Sequence, residues 1–190
     1  MATLITGLIL FLGTHSISIV APAWRSRLSA RIGTLAWQGI YSVIAIVGLV
    51  LIIRGYSAAR IDSTVLYSSP DWLRYLSVVL LVPVFPFLLA AYLPGRIQSA
   101  LQHPMLVATK LWALAHLLAN GRAVDIVLFG AFLLWAVADR ISLKRRPSPP
   151  VPEAPLTRFN DAIAVAAGLA IFAAFILGLH EQLFGVSPVQ

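Results

Sequence analysis

Four histidines carry the chemistry that stands out in this sequence: His15, His103, His116 and His180. Imidazole moves protons near neutral pH and is a common metal ligand. His15 sits in the apolar stretch "FLGTHSIS". His103 and His116 sit in "HPMLVATKLWALAHLLANG", which runs from His103 to Gly121. An ionisable group inside a membrane-spanning segment is costly and marks a functional site by default. Other chemistries find no support. There is no cysteine, which excludes disulfides, thiolate metal sites and cysteine nucleophiles. No HExxH motif and no glycine-rich phosphate loop occurs. No apolar run places two carboxylates on one helical face for acid–base work.

The spacing limits what the histidines can do together. His103 precedes Pro104, and proline favours the first helical position. His103 is therefore expected at or just before a helix start, as a capping or headgroup contact; it is the lower-ranked metal candidate. His116 lies deeper and shares a helical face with Thr109, Trp112, Ala113 and Asn120. Thirteen residues on one helix separate the two by about 20 Å and roughly 140°. They cannot hold one ion unless the helix breaks. A partner for His116 must come from another helix, and His15 is the best placed. A porphyrin between His15 and His116 fits the interior of a helix bundle, where cofactor sites are built. The plainer reading of His15 is a neutral side chain bonded to a neighbouring helix. Lys110 either snorkels to the membrane surface or meets a carboxylate such as a haem propionate. Ser18, Thr109 and Asn120 are the candidate polar neighbours of the site. His180 stands beside Glu181 near the end of the last apolar run, where an interfacial role is expected rather than ligation.

These side chains need apolar helices to position them. The chain has 190 residues, 59% hydrophobic and 11% charged, and its mean hydropathy is +0.89. Soluble domains are about 25% charged. This composition is that of an integral membrane protein, all-α because a bilayer demands internally satisfied backbone. A span needs roughly 20 apolar residues. Six candidates are read at about 2–22, 34–54, 72–93, 104–120, 122–140 and 159–182, all in one domain over residues 1–190. The third carries Pro83 and Pro86, which predict a kink. The fourth and fifth are joined by a tight "NGR" turn, Asn120 to Arg122. The sixth has Ala164 and Gly168 at the four-residue spacing that lets helices approach closely. "APA" at 21–23 loosely resembles a signal cleavage site; the missing basic start and the arginines after the run favour a retained helix.

The formal charge of +7 reflects topology rather than nucleic-acid binding. Arg25, Arg27, Arg31, Arg96, Arg140, Lys144, Arg145, Arg146 and Arg158 fall in loops on one side. Arg54, Arg60, Arg74 and Arg122 fall on the other. The positive-inside rule then places both termini outside. It places the proline-rich "KRRPSPPVPEAP" loop, a semi-rigid linker, in the cytoplasm.

"HPMLVATKLWALAHLLANG" closely resembles the central motif of the NnrU family of bacterial membrane proteins. "GTHS", "RGYSAAR" (Arg54 to Arg60), "LPGRI" (Leu93 to Ile97) and "LHEQLFGVSP" fit the same pattern, so the resemblance covers essentially the whole chain. The family is associated with denitrification and nitric-oxide-linked metabolism. It shares a domain with plant and cyanobacterial zeta-carotene isomerase, an integral membrane haem b enzyme whose iron is held by histidines. The resemblance implies haem b, with His15 and His116 at the ligand positions and His103 at the "HP" position. One departure bears on activity. The isomerase is credited with ligand exchange through a cysteine near its haem, and this chain has none.

Three functions stand as expectations. The first is a membrane haem b protein linked to denitrification or nitric-oxide metabolism, in contact with lipid and with respiratory or denitrification proteins. A haem-dependent isomerase of a lipid-like polyene is its enzymatic variant. The second is a non-enzymatic partner or assembly subunit of a respiratory reductase, its histidines serving as interhelical hydrogen bonds. The third, a transporter, ranks lower because no inverted repeat with paired broken helices is visible.

Overall fold

The computed structural model describes residues 1–146 and 153–185. The middle of the expected proline-rich linker, 147–152, and the end of "LHEQLFGVSP" lie outside the described residues. Ten α-helices are described: α1 (Ala2–Val20), α2 (Pro22–Ile32), α3 (Thr34–Ile61), α4 (Asp71–Leu81), α5 (Val84–Ala90), α6 (Arg96–Leu101), α7 (Pro104–Ala119), α8 (Ala123–Ser142), α9 (Asn160–Ala174) and α10 (His180–Phe184). A kink at Gly178 (φ 153°, ψ −19°), within Phe175–Leu179, separates the last two. Among the described residues there is no strand, only one antiparallel bridge between Val65 and Arg122.

The architecture is that of an all-α membrane protein. Ala2–Val20, Thr34–Ile61, Asp71–Ala90 and Asn160–Phe184 are long and apolar enough to cross a bilayer. α7 is a shorter apolar helix of 16 residues. α8 has 20 residues and carries Asp125 near its start and Arg140 near its end. The expected proline kink appears as a break between α4 and α5 at Pro83. α7 starts at Pro104, as "HP" predicts. Two short helices go beyond the sequence expectation. The arginine-rich connection after α1 is itself α2, opened by Pro22 at its first position. Arg96 lies in α6.

The chain divides into two compact units: Met1–Ser68 with Asn120–Arg145, and Ser69–Ala119 with Arg146–Gln190. In the first, α1 lies against α3 through glycines. A Cβ on Gly7 would come within 2.6 Å of the Ile52 nitrogen, and one on Gly48 within 2.7 Å of the Phe11 nitrogen. Gly55 meets the Leu4 backbone in the same way, and Leu4 is wholly buried. Backbone contact this close is how small residues hold helices together in lipid, where no hydrophobic force drives association.

The start of α8 is fastened to the loop after α3. The Leu66 and Tyr67 amides donate to the Gly121 carbonyl at 2.8 and 3.2 Å. The Ala123 amide donates to the Thr64 carbonyl at 2.9 Å, and the Val124 amide to Ser63 Oγ at 3.0 Å. Asp125, only 1% exposed, accepts from the Tyr56 hydroxyl at 2.7 Å and from the Arg122 amide at 3.0 Å. A carboxylate at the start of a helix satisfies an otherwise unpaired amide and meets the positive end of the helix dipole.

In the second unit, Gly168 of α9 has no room for a side chain against Pro86 of α5, and Ala164 is fully buried. The small-residue spacing of the last span is therefore used in packing. Asp161 accepts from the Arg96 and Ile97 amides at 2.9 and 3.1 Å, capping α6. Buried Asn160 donates from Nδ2 to the Pro94 and Pro155 carbonyls at 2.8 and 3.1 Å. Its Oδ1 accepts from the Thr157 hydroxyl at 2.7 Å.

Candidate functional site

The expected site residues fall in both units. His15, Ser18 and Asn120 belong to the first; His103, Thr109, Lys110 and His116 belong to the second. Each group has its own surroundings.

His15 is half-buried on α1, one turn after Phe11. Its Nδ1 lies 2.7 Å from the Phe11 carbonyl oxygen. A carbonyl only accepts, so Nδ1 carries the proton and Nε2 the lone pair. The ring is enclosed by aromatics. Phe11, Tyr41 and Trp135 have ring centres 4.3, 5.2 and 5.9 Å from it. Tyr41 continues to Trp37 at 6.3 Å and Trp37 to the exposed Trp24 of α2 at 6.1 Å. The buried Trp135 Nε1–H has no hydrogen-bond partner among the described residues. An unsatisfied buried donor calls for explanation, and an acceptor held beside His15 would satisfy it. Ser18 lies further along the same helix, half-buried. The Asn120 carbonyl accepts from the Tyr67 hydroxyl at 2.8 Å.

His116 repeats the local arrangement of His15. Its Nδ1 lies 2.8 Å from the Trp112 carbonyl oxygen one turn back, which again puts the proton on Nδ1 and the lone pair on Nε2. Metal-bound histidines are commonly fixed in this way, the second ring nitrogen donating to a carbonyl or carboxylate. The Trp112 ring lies 5.3 Å from the imidazole. The histidine that the structure brings alongside is His180. Its ring centre is 6.4 Å from that of His116, the planes inclined by 26°. The interfacial place expected for His180 from sequence omits this pairing.

The remaining expected residues sit apart from that pair along α7 or before it. His103 stands before the first turn of α7, its carbonyl accepting from the Leu106 and Val107 amides at 3.0 and 3.2 Å. The Thr109 hydroxyl donates to the Met105 carbonyl at 2.9 Å. Lys110 is half-buried on the same helix, about 9 Å from His116 along the axis by the rise per residue. Among the described residues no three histidines, aspartates or glutamates gather to hold a bare metal ion.

Sequence reasoning missed three features. Trp135 and Tyr41 give no signal, because aromatic residues in membrane helices ordinarily mark the interface. The role of Asp125 needs knowledge of where α8 begins. The position of His180 follows a kink in the helix, for which Gly178 is the one sequence clue.

A family model described as NnrU protein matches residues 3–188. No curated protein and no solved structure matches the chain.

Proposed function

The chain belongs to the NnrU family, and from that premise we propose that it is a histidine-ligated haem b protein of the bacterial inner membrane, serving nitric-oxide-linked or denitrification metabolism. The observation that carries the reading is shared by His15 and His116. Each is half-buried in an apolar helix and each has Nδ1 committed to the carbonyl one turn back. That hydrogen bond selects the tautomer whose Nε2 can bind iron, and neutral imidazole suits iron. The unpartnered Trp135 Nε1–H beside His15 offers a donor to an acceptor bound there. The residues present therefore fit the group.

Bound haem b supplies a one-electron redox centre and a place for a diatomic gas, with axial ligands and surrounding polarity setting which is used. The chain's own residues do the rest. The helix carbonyls of Phe11 and Trp112 hold the imidazoles in one orientation. Phe11, Tyr41 and Trp135 flank His15 with apolar rings. Lys110 is the cation closest in sequence to His116 within α7 and is the candidate partner of a propionate. The absence of cysteine removes thiolate ligation from the options. Electron-transfer proteins of nitrogen-oxide reduction are the proposed partners, reached across a membrane in which the arginine-rich loops face the cytoplasm.

The test is optical. Full-length protein purified in mild detergent is expected to show a Soret band, and on reduction the narrow bands of haem b. Nitric oxide added to the reduced protein is expected to shift them. A colourless protein from haem-replete cells would defeat the reading.

A further inference from the structure

We propose that α2 is a surface helix that binds the phosphate of an anionic phospholipid between Arg27 and Arg31, with Trp24 and Leu28 set against the start of its acyl chains. This binding needs no haem, so the two readings fail separately.

Three observations converge. The first is placement. α1 and α3 run antiparallel: Leu4, Gly7 and Phe11 of α1 meet Gly55, Ile52 and Gly48 of α3 in reverse order. Both helices are long and apolar enough to cross a bilayer. The end of α1 and the start of α3 therefore share one membrane face, and α2 connects them there. Its 11 residues span about 16 Å, against a hydrocarbon core of about 30 Å, so it lies at the surface rather than crossing. Pro22 starts the helix and Gly33, at φ 88°, ends it. The Trp24 ring meets Trp37 of α3 edge to face, 6.1 Å between centres, which ties α2 to the span.

The second is the stripe. Trp24, Arg27, Leu28 and Arg31 fall at i, i+3, i+4 and i+7, one face of a helix. Together they line one open hollow of about 170 Å³. Trp24 is 52% exposed, and no residue of α2 is buried. The third is chemistry. α2 carries Arg25, Arg27 and Arg31 and no carboxylate. Guanidinium groups match phosphate oxygens bidentately. Tryptophan sits at headgroup level, and an apolar side chain beside it reaches the acyl boundary. Two apolar groups among the arginines suit a phosphate that carries acyl chains, which a free phosphate lacks. A net-negative headgroup complements the three arginines; a zwitterionic one brings its own cation against them.

The experiment uses the full-length protein in neutral detergent, titrated with phosphatidylglycerol, phosphatidylcholine, inorganic phosphate or polyglutamate. Bound lipid is counted by native mass spectrometry. Tm is followed against concentration, since a ligand of the folded state raises it. Phosphatidylglycerol is expected to bind saturably and to raise Tm; the other three, at the same concentration, are expected to do neither. Each arginine at an anionic headgroup is worth about fivefold in affinity, so Arg27→Gln with Arg31→Gln is expected to weaken phosphatidylglycerol binding about 25-fold. Lys144→Gln with Arg145→Gln removes the same charge from exposed positions just after α8 and is expected to leave binding unchanged. Arg27→Lys with Arg31→Lys keeps the charge without the planar fork. It is expected to keep the preference for phosphatidylglycerol with several-fold weaker binding, and it decides the matter if the glutamine pair does not fold. Wild-type affinity in either Arg27 and Arg31 pair overturns the proposal, and so do equal losses in the two glutamine pairs. Phosphatidylcholine binding as well as phosphatidylglycerol overturns it too. An equal Tm shift with inorganic phosphate would make α2 a free-anion site, and tighter binding of polyglutamate would make it a dock for an acidic protein segment; either result overturns the lipid.

Discussion

Asp125 offers the sharpest test of how the first unit is held. The carboxylate is nearly inaccessible, at 1% exposed, and it accepts two hydrogen bonds, from Tyr56 and from the Arg122 amide. A hydrogen bond to a charged group contributes about 1.5–3 kcal/mol. Tyr56→Phe removes one and leaves the other, so it is expected to cost about 1.5–3 kcal/mol. Asp125→Ala removes both and strands the Tyr56 hydroxyl and the Arg122 amide, for a cost of about 3–6 kcal/mol. For a chain of this size each kcal/mol moves Tm by about 2–4 °C. Thermal unfolding in detergent, monitored by fluorescence-detected size exclusion, should then show Tyr56→Phe lower by about 3–12 °C, with Asp125→Ala lower still. The double variant should be no worse than Asp125→Ala alone, because the two residues share one bond. A Tyr56→Phe protein as stable as wild type would refute the reasoning, and so would fully additive losses.

Other perturbations act on contacts of the same kind. Gly48→Ala places a methyl against the Phe11 backbone and is expected to cost about 1–3 kcal/mol by overpacking. Gly39→Ala on the same helix meets nothing within 4 Å and should be neutral or slightly stabilising, since alanine is the better helix former; the two Tm values measured side by side check this. Asn160→Asp turns a donor that satisfies the Pro94 and Pro155 carbonyls into an acceptor facing acceptors. It should lower Tm more than Asn160→Ala does. Burial, and then the charge of Asp125, raise the pKa of the Tyr67 phenol above its ordinary value. A group whose folded pKa is raised stabilises fully below its unfolded pKa of about 10 and loses that contribution as pH climbs through the folded pKa. Stability measured against pH should therefore fall at the alkaline end, and Tyr67→Phe should flatten the fall.

Much of the helical plan is legible in the sequence because its signals are strong and local. Pro83 and Pro104 mark a break and a start by removing backbone donors, and helices end and begin there. Ala164 and Gly168 announce a close contact by size alone, which Pro86 completes. The rest depends on tertiary context. α2 reads as a charged loop because arginines dominate it, yet it forms a helix with its Trp24 ring against Trp37. The sequence requires a partner for His116 from another helix and ranks His15 first, and His15 falls in the other unit. No periodicity rule foresees that the chain kinks at Gly178 and leaves the His180 ring beside that of His116. The aromatic surroundings of His15 are half visible in the sequence. The histidine can be named, but Trp135 and Tyr41 come from other helices and carry no sequence mark of their role.

The most direct measurement is the reduced-minus-oxidised spectrum of the purified wild-type chain, with its haem quantified as the pyridine haemochrome. Narrow reduced bands at about one haem per chain, in keeping with two axial imidazoles, are the expected result. Protein that is colourless after expression in haem-replete cells would contradict haem ligation, and His15, His116 and His180 would then stand as hydrogen-bonding groups of the helices.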